Sequence, residues 1–565
     1  MEYIIFAAFA VCFLLFLFLQ GMYQEKKEHK WFRQKLINQY GEKPDREYTP
    51  ERYVRIPGYY ENHKKEEQID DITWNDLGMD DIFEGLNYTL SSTGEEYLYY
   101  QLRTPVMDEE KLKHFHEMVV YFDEHEEDRI SFQLLMRKLG TTGKFSLYDY
   151  IEYLTKLDAL SNQKEFLMLG LLGASILLMF FQLTLGILAL IAVIFYQMFS
   201  YYKIRKKIEP YITSLGYMIR LSEIADKVQK LNLSVCEKEN EQIRKHVRNL
   251  RSTKRGSYWV FHDPKNNTGG NPLDAILVYV TMIFHVDLIA FNKMLGGLKS
   301  KLQEIDVLVS ILGYMETAVC VCLYRASVQD NYCIPEFGGT GLYLKDGYHP
   351  MIQEPVANSI EASRSVLLTG SNASGKSTFL KMTALNVLLA QAIYTVCGKE
   401  YKAPFFRVYS SMSLRDDLES GESYYIVEIK AIKRIMEEAE RIRSLENCQK
   451  VICFVDEVLR GTNTTERIAA SSQILKSFAE NGVLCFAATH DLELTELLKE
   501  GFDNYHFSED VSENDIRFNY LLQPGKATTK NAIRLLQLMG YDRSIIENAH
   551  AQADYFEKNG VWKLT

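Results

Sequence analysis

Gly370-Ser371-Asn372-Ala373-Ser374-Gly375-Lys376-Ser377-Thr378 constrains this chain more than any other stretch. An apolar run, Ser365-Val366-Leu367-Leu368-Thr369, precedes it, and Phe379-Leu380-Lys381-Met382-Thr383-Ala384-Leu385 follows. That order predicts a buried strand, a glycine-bearing loop and a helix, with the spacing G-x-x-x-x-G-K-[ST]. The loop N–H groups and the N-terminus of the helix would then face a polyphosphate. Lys376 would reach the β and γ oxygens as a point charge, and the Ser377 hydroxyl would sit on Mg²⁺. The whole stretch Gly370–Thr378 is therefore expected to bind ATP with Mg²⁺.

Two later runs supply the chemistry that such a loop needs. Val451-Ile452-Cys453-Phe454-Val455 reads as a buried strand, and it ends in Asp456-Glu457. At the C-terminal end of a strand beside a phosphate loop, the first acid is placed to hold the Mg²⁺ and its water. The second, Glu457, is placed to polarise the attacking water as general base. Val483-Leu484-Cys485-Phe486-Ala487-Ala488-Thr489-His490 is another strand with a polar tip, and His490 is expected to hydrogen-bond the γ-phosphate.

With 565 residues the chain is too long for one ordinary core. Its net charge of −11 argues against a broad basic face coating nucleic acid, though a local basic groove is compatible with it. The nine cysteines are scattered without a C-x-x-C pair, as buried free thiols in a reducing compartment would be.

Two stretches point to a membrane. Tyr3 to Leu19 carries no charge, and Lys26, Lys27, Lys30, Arg33 and Lys35 follow it, which puts the downstream side in the cytoplasm. Glu2 and the lack of a basic n-region speak for an uncleaved anchor rather than a signal peptide. Phe166 to Tyr202 is longer than the ~20 residues that one spanning helix needs. Two short helices turning near Gln182-Leu183-Thr184 keep both basic flanks, and the phosphate loop, on the cytoplasmic side. Parity thus gives three spans. Val307–Leu323 is also apolar, but it carries Glu316 and reads as a buried helix of a soluble core, as does Ala275–Phe284.

The fold class expected is mixed: an α-helical core domain with transmembrane helices, plus an α/β P-loop ATPase domain. The boundaries read as an anchor at 1–22, a linker at 23–70 and a helical core at 71–165. A transmembrane hairpin follows at 166–202, the second part of the core or lever at 203–340, and the ATPase domain with a helical closure at 341–565. Phe115-His116-Glu117 and Phe122-Asp123-Glu124 lie in helical pattern, so their phenylalanines read as core. Arg244, Lys245, Arg248, Arg251, Lys254 and Arg255 read as a solvated helical face.

Four segments occur in one order: Gly370–Thr378, Asp416-Asp417-Leu418-Glu419-Ser420-Gly421-Glu422-Ser423, Asp456 through Thr462, and Ala488 through Thr495. Together they resemble the ATPase domain of the MutS mismatch-repair family, a branch of the ABC-type ATPases. Tyr348-His349-Pro350, Gly525-Lys526-Ala527-Thr528 and Ile545-Ile546-Glu547-Asn548-Ala549 fit the same resemblance. It implies a homodimer in which each nucleotide lies between the phosphate loop of one subunit and Ser423 of the other. It also implies roles for Asn372 as a phosphate-loop residue and for Thr462 and Thr464 in communication across the dimer. Leu459 and Glu466 depart from the family's usual Gly and Asp, and a membrane anchor stands where the mismatch-reading domain normally lies.

The apolar stretches and the resemblance together point to a membrane-anchored, MutS-like ATPase, multi-pass in the cell membrane with its ATPase domain cytoplasmic; the resemblance allows DNA as a partner, which the sequence itself does not show. The alternative is a mechanical or scaffolding ATPase of the membrane without a nucleic-acid substrate. An ABC exporter fits less well, because no Leu-Ser-Gly-Gly-Gln-type segment stands just ahead of Val451.

Overall fold

The computed structural model describes residues 20, 23–24, 26–156, 161–254, 280–329, 331–371, 374–412, 424–444, 450–460, 462–511, 516–527 and 532–562. The apolar stretch at the N-terminus lies outside them, as do Asn372, Ala373 and the segment carrying Ser420, Gly421 and Ser423. The chain divides into two units. Unit 1 comprises Met1–Lys64, Leu86–Tyr100 and His116–Ser327; unit 2 comprises Lys65–Gly85, Gln101–Phe115 and Val328–Thr565.

Unit 1 is helical. Its longest elements are α1 (Gln163–Phe181), α2 (Leu183–Val228) and α3 (Leu302–Val328). The break between α1 and α2 falls at Gln182, whose backbone is extended, and the two helices fold back on each other. Gly186 permits that approach, since a Cβ there would lie 2.5 Å from the Met179 backbone. Both helices are long and apolar enough to cross a membrane, and most of their surface is uncovered: Phe180, Phe181, Phe195 and Phe199 are exposed. Beyond Lys206 the same helix α2 changes character. Leu215, Tyr217, Met218, Leu221, Ala225 and Val228 are buried, and the Tyr217 hydroxyl meets Thr93 Oγ1 at 2.8 Å. Pro210 lies inside α2 and has no N–H to give the carbonyl one turn back.

Helix α3 also has the length and hydropathy of a span, but 83% of its most apolar stretch is buried inside the protein. Its Glu316 accepts hydrogen bonds from the Leu90 N–H and the Ser91 hydroxyl. Other carboxyls are buried nearby in sequence. Glu95 is paired with Arg52 and Arg55, which hold it below the usual carboxylate range against the effect of its burial. Among the described residues Glu96 accepts a hydrogen bond from the Ser146 hydroxyl alone, at 2.7 Å on Oε2, and burial pushes its pKa up to about 8. Part of the 23–70 segment packs into this unit as the helices Pro50–Arg55 and Gly58–Asn62. The Tyr59 ring meets those of Tyr97, Tyr100 and Tyr148 edge-on, contacts between residues far apart in sequence. Phe122 is fully buried, as a core phenylalanine should be.

Unit 2 is built on a six-stranded sheet. Its strands are β4 (Ser365–Thr369), β6 (Phe406–Ser411), β7 (Lys450–Asp456), β8 (Leu484–Ala488), β9 (Phe502–Val511) and β10 (Ile516–Pro524). The order is β10-β9-β4-β8-β7-β6, parallel from β9 to β6, with β10 antiparallel at the edge. β4 and β6 are buried along their whole length; β4 accordingly reads as a continuous apolar or small run rather than an alternating one, while β6 buries Arg407. A second sheet joins β1 (Glu336–Phe337), β5 (Glu400–Ala403), β2 (Leu342–Gly347) and β3 (Asn358–Ala362) in that order. Helices α4 (Lys376–Ile393), α5 (Tyr424–Ser444) and α6 (Thr464–Glu480) complete the strand–helix alternation. Lys65–Gly85 belongs to this unit through side chains: Asp76 accepts from Ser410 Oγ at 2.7 Å and the Met412 N–H at 2.9 Å, and Arg434 pairs with Asp70 at 2.7 Å.

Candidate active site

The loop after β4 is tight because two glycines take backbone angles that side chains avoid, φ +138° at Gly370 and +102° at Gly375. Gly375 hands the chain directly to α4, so the first N–H groups of that helix face the loop. Ser374 closes the turn, its N–H and hydroxyl both donating to the Ser371 carbonyl at 3.2 and 2.7 Å. Lys376 is almost wholly buried, with Nζ 2.7 Å from the carbonyls of Gly370 and Ser371. Its ammonium therefore sits over the loop, where it can exchange carbonyl dipoles for phosphate oxygens. Thr378 is exposed on the first turn of α4.

Asp456 ends β7, and its Oδ2 accepts the Ser377 hydroxyl at 2.5 Å. Two hard oxygen donors, expected from the sequence to hold Mg²⁺, are thus side by side. A hydroxyl and a carboxylate next to a phosphate loop suit an ion that keeps several waters and binds through one or two protein oxygens.

Glu457 follows in the left-handed region, φ +57°, with its N–H bonded to the Ala488 carbonyl at 2.9 Å. His490 Nε2 lies 2.7 Å from its Oε1, and Arg460 Nε lies 2.7 Å from its Oε2. The His490 contact, then the positive charges of Arg460 and Lys376, hold the Glu457 carboxyl below its ordinary range against partial burial. The structure places His490 against Glu457, so both residues expected to act on the γ-phosphate and its water share one cluster. Arg467 clamps Asp491 through two hydrogen bonds of 2.9 and 2.6 Å, fixing the strand tip that carries His490.

Leu459 also has positive φ, +61°. A left-handed leucine costs on the order of 1–2 kcal/mol. Its side chain is buried in the cluster formed by Ile432, Ile435, Val458 and Leu475, and burying a leucine contributes roughly 2 kcal/mol. The two terms offset, which explains how leucine occupies a position suited to glycine.

Beside the loop that follows β4 lies a cavity of about 530 Å³, lined by His349, Asn358, Gly375, Lys376, Phe379 and Tyr520 among others. Asn358 pins the irregular middle of β10, donating to the Tyr520 carbonyl at 2.9 Å and accepting from the Leu522 N–H at 2.8 Å. The Tyr520 ring then faces Gly375, where a Cβ would come within 3.2 Å of it. Burial holds the His349 pKa below its usual value. Sequence reasoning named His349 only as part of a lead-in and missed Tyr520, Arg460 and Glu428. Glu428 had a readable signal: it stands on the same helical stripe as Ala431, Ile432, Ile435, Ala439 and Ile442, all buried.

Residues 366–557 match the family model MutS domain V. The DNA mismatch repair protein MutS of Thermus thermophilus is 31% identical over 241 residues, 42% of this chain and 29% of that relative. The proteins of the same name from Natronomonas pharaonis and Pseudothermotoga lettingae are each 29% identical, over 247 and 277 residues. Those matches cover 41% and 47% of this chain and 28% and 33% of the relatives. The chain therefore spans a third or less of the curated relatives it matches. Over unit 2, through its domain V-like part, the chain is similar to the MutS proteins.

Proposed function

We propose that this protein is a membrane-anchored ATPase of MutS type that binds and hydrolyses ATP in a composite homodimer site, coupled to DNA. The observation that carries the reading is one contact: Ser377 of the phosphate loop on Asp456, with Glu457 next in the chain and bound to His490. Mg²⁺ held by Ser377 and Asp456 would neutralise charge on the β and γ oxygens. Lys376 leaves the loop carbonyls for the phosphates, Glu457 orients a water for in-line attack, and His490 keeps that carboxylate ionised and aimed. The nucleobase and ribose occupy the cavity beside Gly375, with the Tyr520 ring as a stacking surface.

The exposed apolar surface of α1 and of α2 up to Lys206 supports a hairpin in the cell membrane, with the ATPase unit on the cytoplasmic side. Similarity to proteins named for DNA mismatch repair supports the DNA partner. The same hairpin, with a net charge of −11, favours as second reading a mechanical ATPase of the membrane that acts on no nucleic acid.

The test is the ATPase rate of the detergent-solubilised protein with homoduplex, mismatched and branched DNA at two salt concentrations, with Lys376→Ala as blank. Stimulation by one DNA form, abolished by salt and by the variant, supports the first reading. Turnover indifferent to every DNA moves the assignment to the second. No turnover above the blank rejects both.

A further inference from the structure

Glu457 and Leu459 are non-glycine residues two apart with left-handed backbone, so this turn does not hold its shape by local preference. It is gripped from three elements. The Ala488 carbonyl of β8 takes the Glu457 N–H, the Ser471 hydroxyl of α6 donates to the Val458 carbonyl at 3.1 Å, and the Glu428 carboxylate of α5 takes the Leu459 N–H. Glu428 is 2% exposed, and its second oxygen has no hydrogen-bond partner among the described residues. An ionisable side chain is rarely committed to the buried face of a helix to serve backbone amides unless the position of those amides matters.

Resting on the reading of Glu457 as the base, we infer that Glu428 is a positioning residue for hydrolysis: by fixing the Leu459 N–H it sets the turn that aims the Glu457 carboxylate. It touches neither nucleotide nor water, and it acts only through the backbone. Burial and the nearby Glu457 charge raise the Glu428 pKa, while the Leu459 and Arg460 N–H groups and the Arg460 charge oppose the rise. What the Leu459 N–H meets is an acceptor oxygen. Glutamine retains one; alanine does not.

The experiment measures turnover, and nucleotide affinity by a fluorescent ATP analogue, for wild type, Glu428→Ala, Glu428→Gln and Glu457→Gln. Turnover of Glu428→Ala should fall ~10- to 100-fold, the scale of a base displaced by about 1 Å, with affinity unchanged. Glu428→Gln should recover most of the rate. If Glu428→Ala folds poorly, Glu428→Asp, which withdraws the acceptor by one methylene, must show the same split. Wild-type turnover in Glu428→Ala overturns the inference. So does an equal loss of rate and affinity in Ala, Asp and Gln variants, which marks a scaffold role. Wild-type protein that hydrolyses while Glu457→Gln is unaffected fails the underlying reading instead, as does wild type without turnover.

Discussion

Replacing Glu96 by glutamine should remove a large part of the pH dependence of folding stability. In the folded chain its carboxyl is enclosed, with the Ser146 hydroxyl on one oxygen and no hydrogen-bond partner on the other among the described residues. Burial, opposed in part by Ser146 and Arg55 and reinforced by Glu95, lifts its pKa from 4.5 to about 8. A group whose folded pKa is raised stabilises fully below its unfolded value, and that contribution is lost as pH rises through the folded value. The window therefore runs from about pH 4.5 to about pH 8. At 1.36 kcal/mol per pKa unit, wild type should lose about 4 kcal/mol between pH 5 and pH 8 through this group. Glu316, lifted to about 7 by its burial, adds a slope of the same sign. Urea denaturation of the detergent-solubilised protein at pH 5, 6.5 and 8 measures it. Glu96→Gln should flatten the slope and leave the Glu316 part, whatever constant penalty the amide adds. Equal slopes in the two proteins would refute the reasoning.

Three further outcomes follow from the site and the hairpin. His490→Ala removes the largest cause of the low Glu457 pKa, so the acid limb of the pH–rate profile should move upward towards the ordinary carboxylate range. A limb that stays in place means that His490 does not set the ionisation of the base. Asp456→Asn should raise the Mg²⁺ concentration for half-maximal turnover ~10- to 100-fold while ATP affinity without metal is kept; an unchanged Mg²⁺ titration removes Asp456 from the metal site. Gly186→Val should splay α1 from α2, because its Cβ would meet the Met179 backbone at 2.5 Å. A lower midpoint in thermal unfolding is the readout, and an unaltered one contradicts the close approach.

The phosphate loop and the two strand tips were legible because their chemistry is local: strand, loop and helix signals lie within about twenty residues of one another. The turn at Gln182 was legible for the same reason. What escaped depends on contacts between distant residues. Lys65–Gly85 straddles the linker expected at 23–70 and the helical core expected at 71–165, and the contacts of Asp76 with Ser410 and of Asp70 with Arg434 reveal that it belongs with the sheet. Tyr520 becomes a cavity wall through the grip of Asn358 on an irregularity in the middle of a strand, which no periodicity announces. Arg460 sat in plain view inside a motif, but its side chain turns back to Glu457, a choice made by electrostatics rather than by spacing.

Helix α2 runs forty-six residues without interruption, from the apolar turn into the packed part of unit 1. Seen mechanically it is a rod of about 70 Å at 1.5 Å per residue. A rod delivers rotation and thrust to its far end unless it has a soft joint, and Pro210, one hydrogen bond short, is the place where bending is cheapest. A push on the Tyr217 end would reach the apolar end as a swing about that joint rather than as a straight stroke.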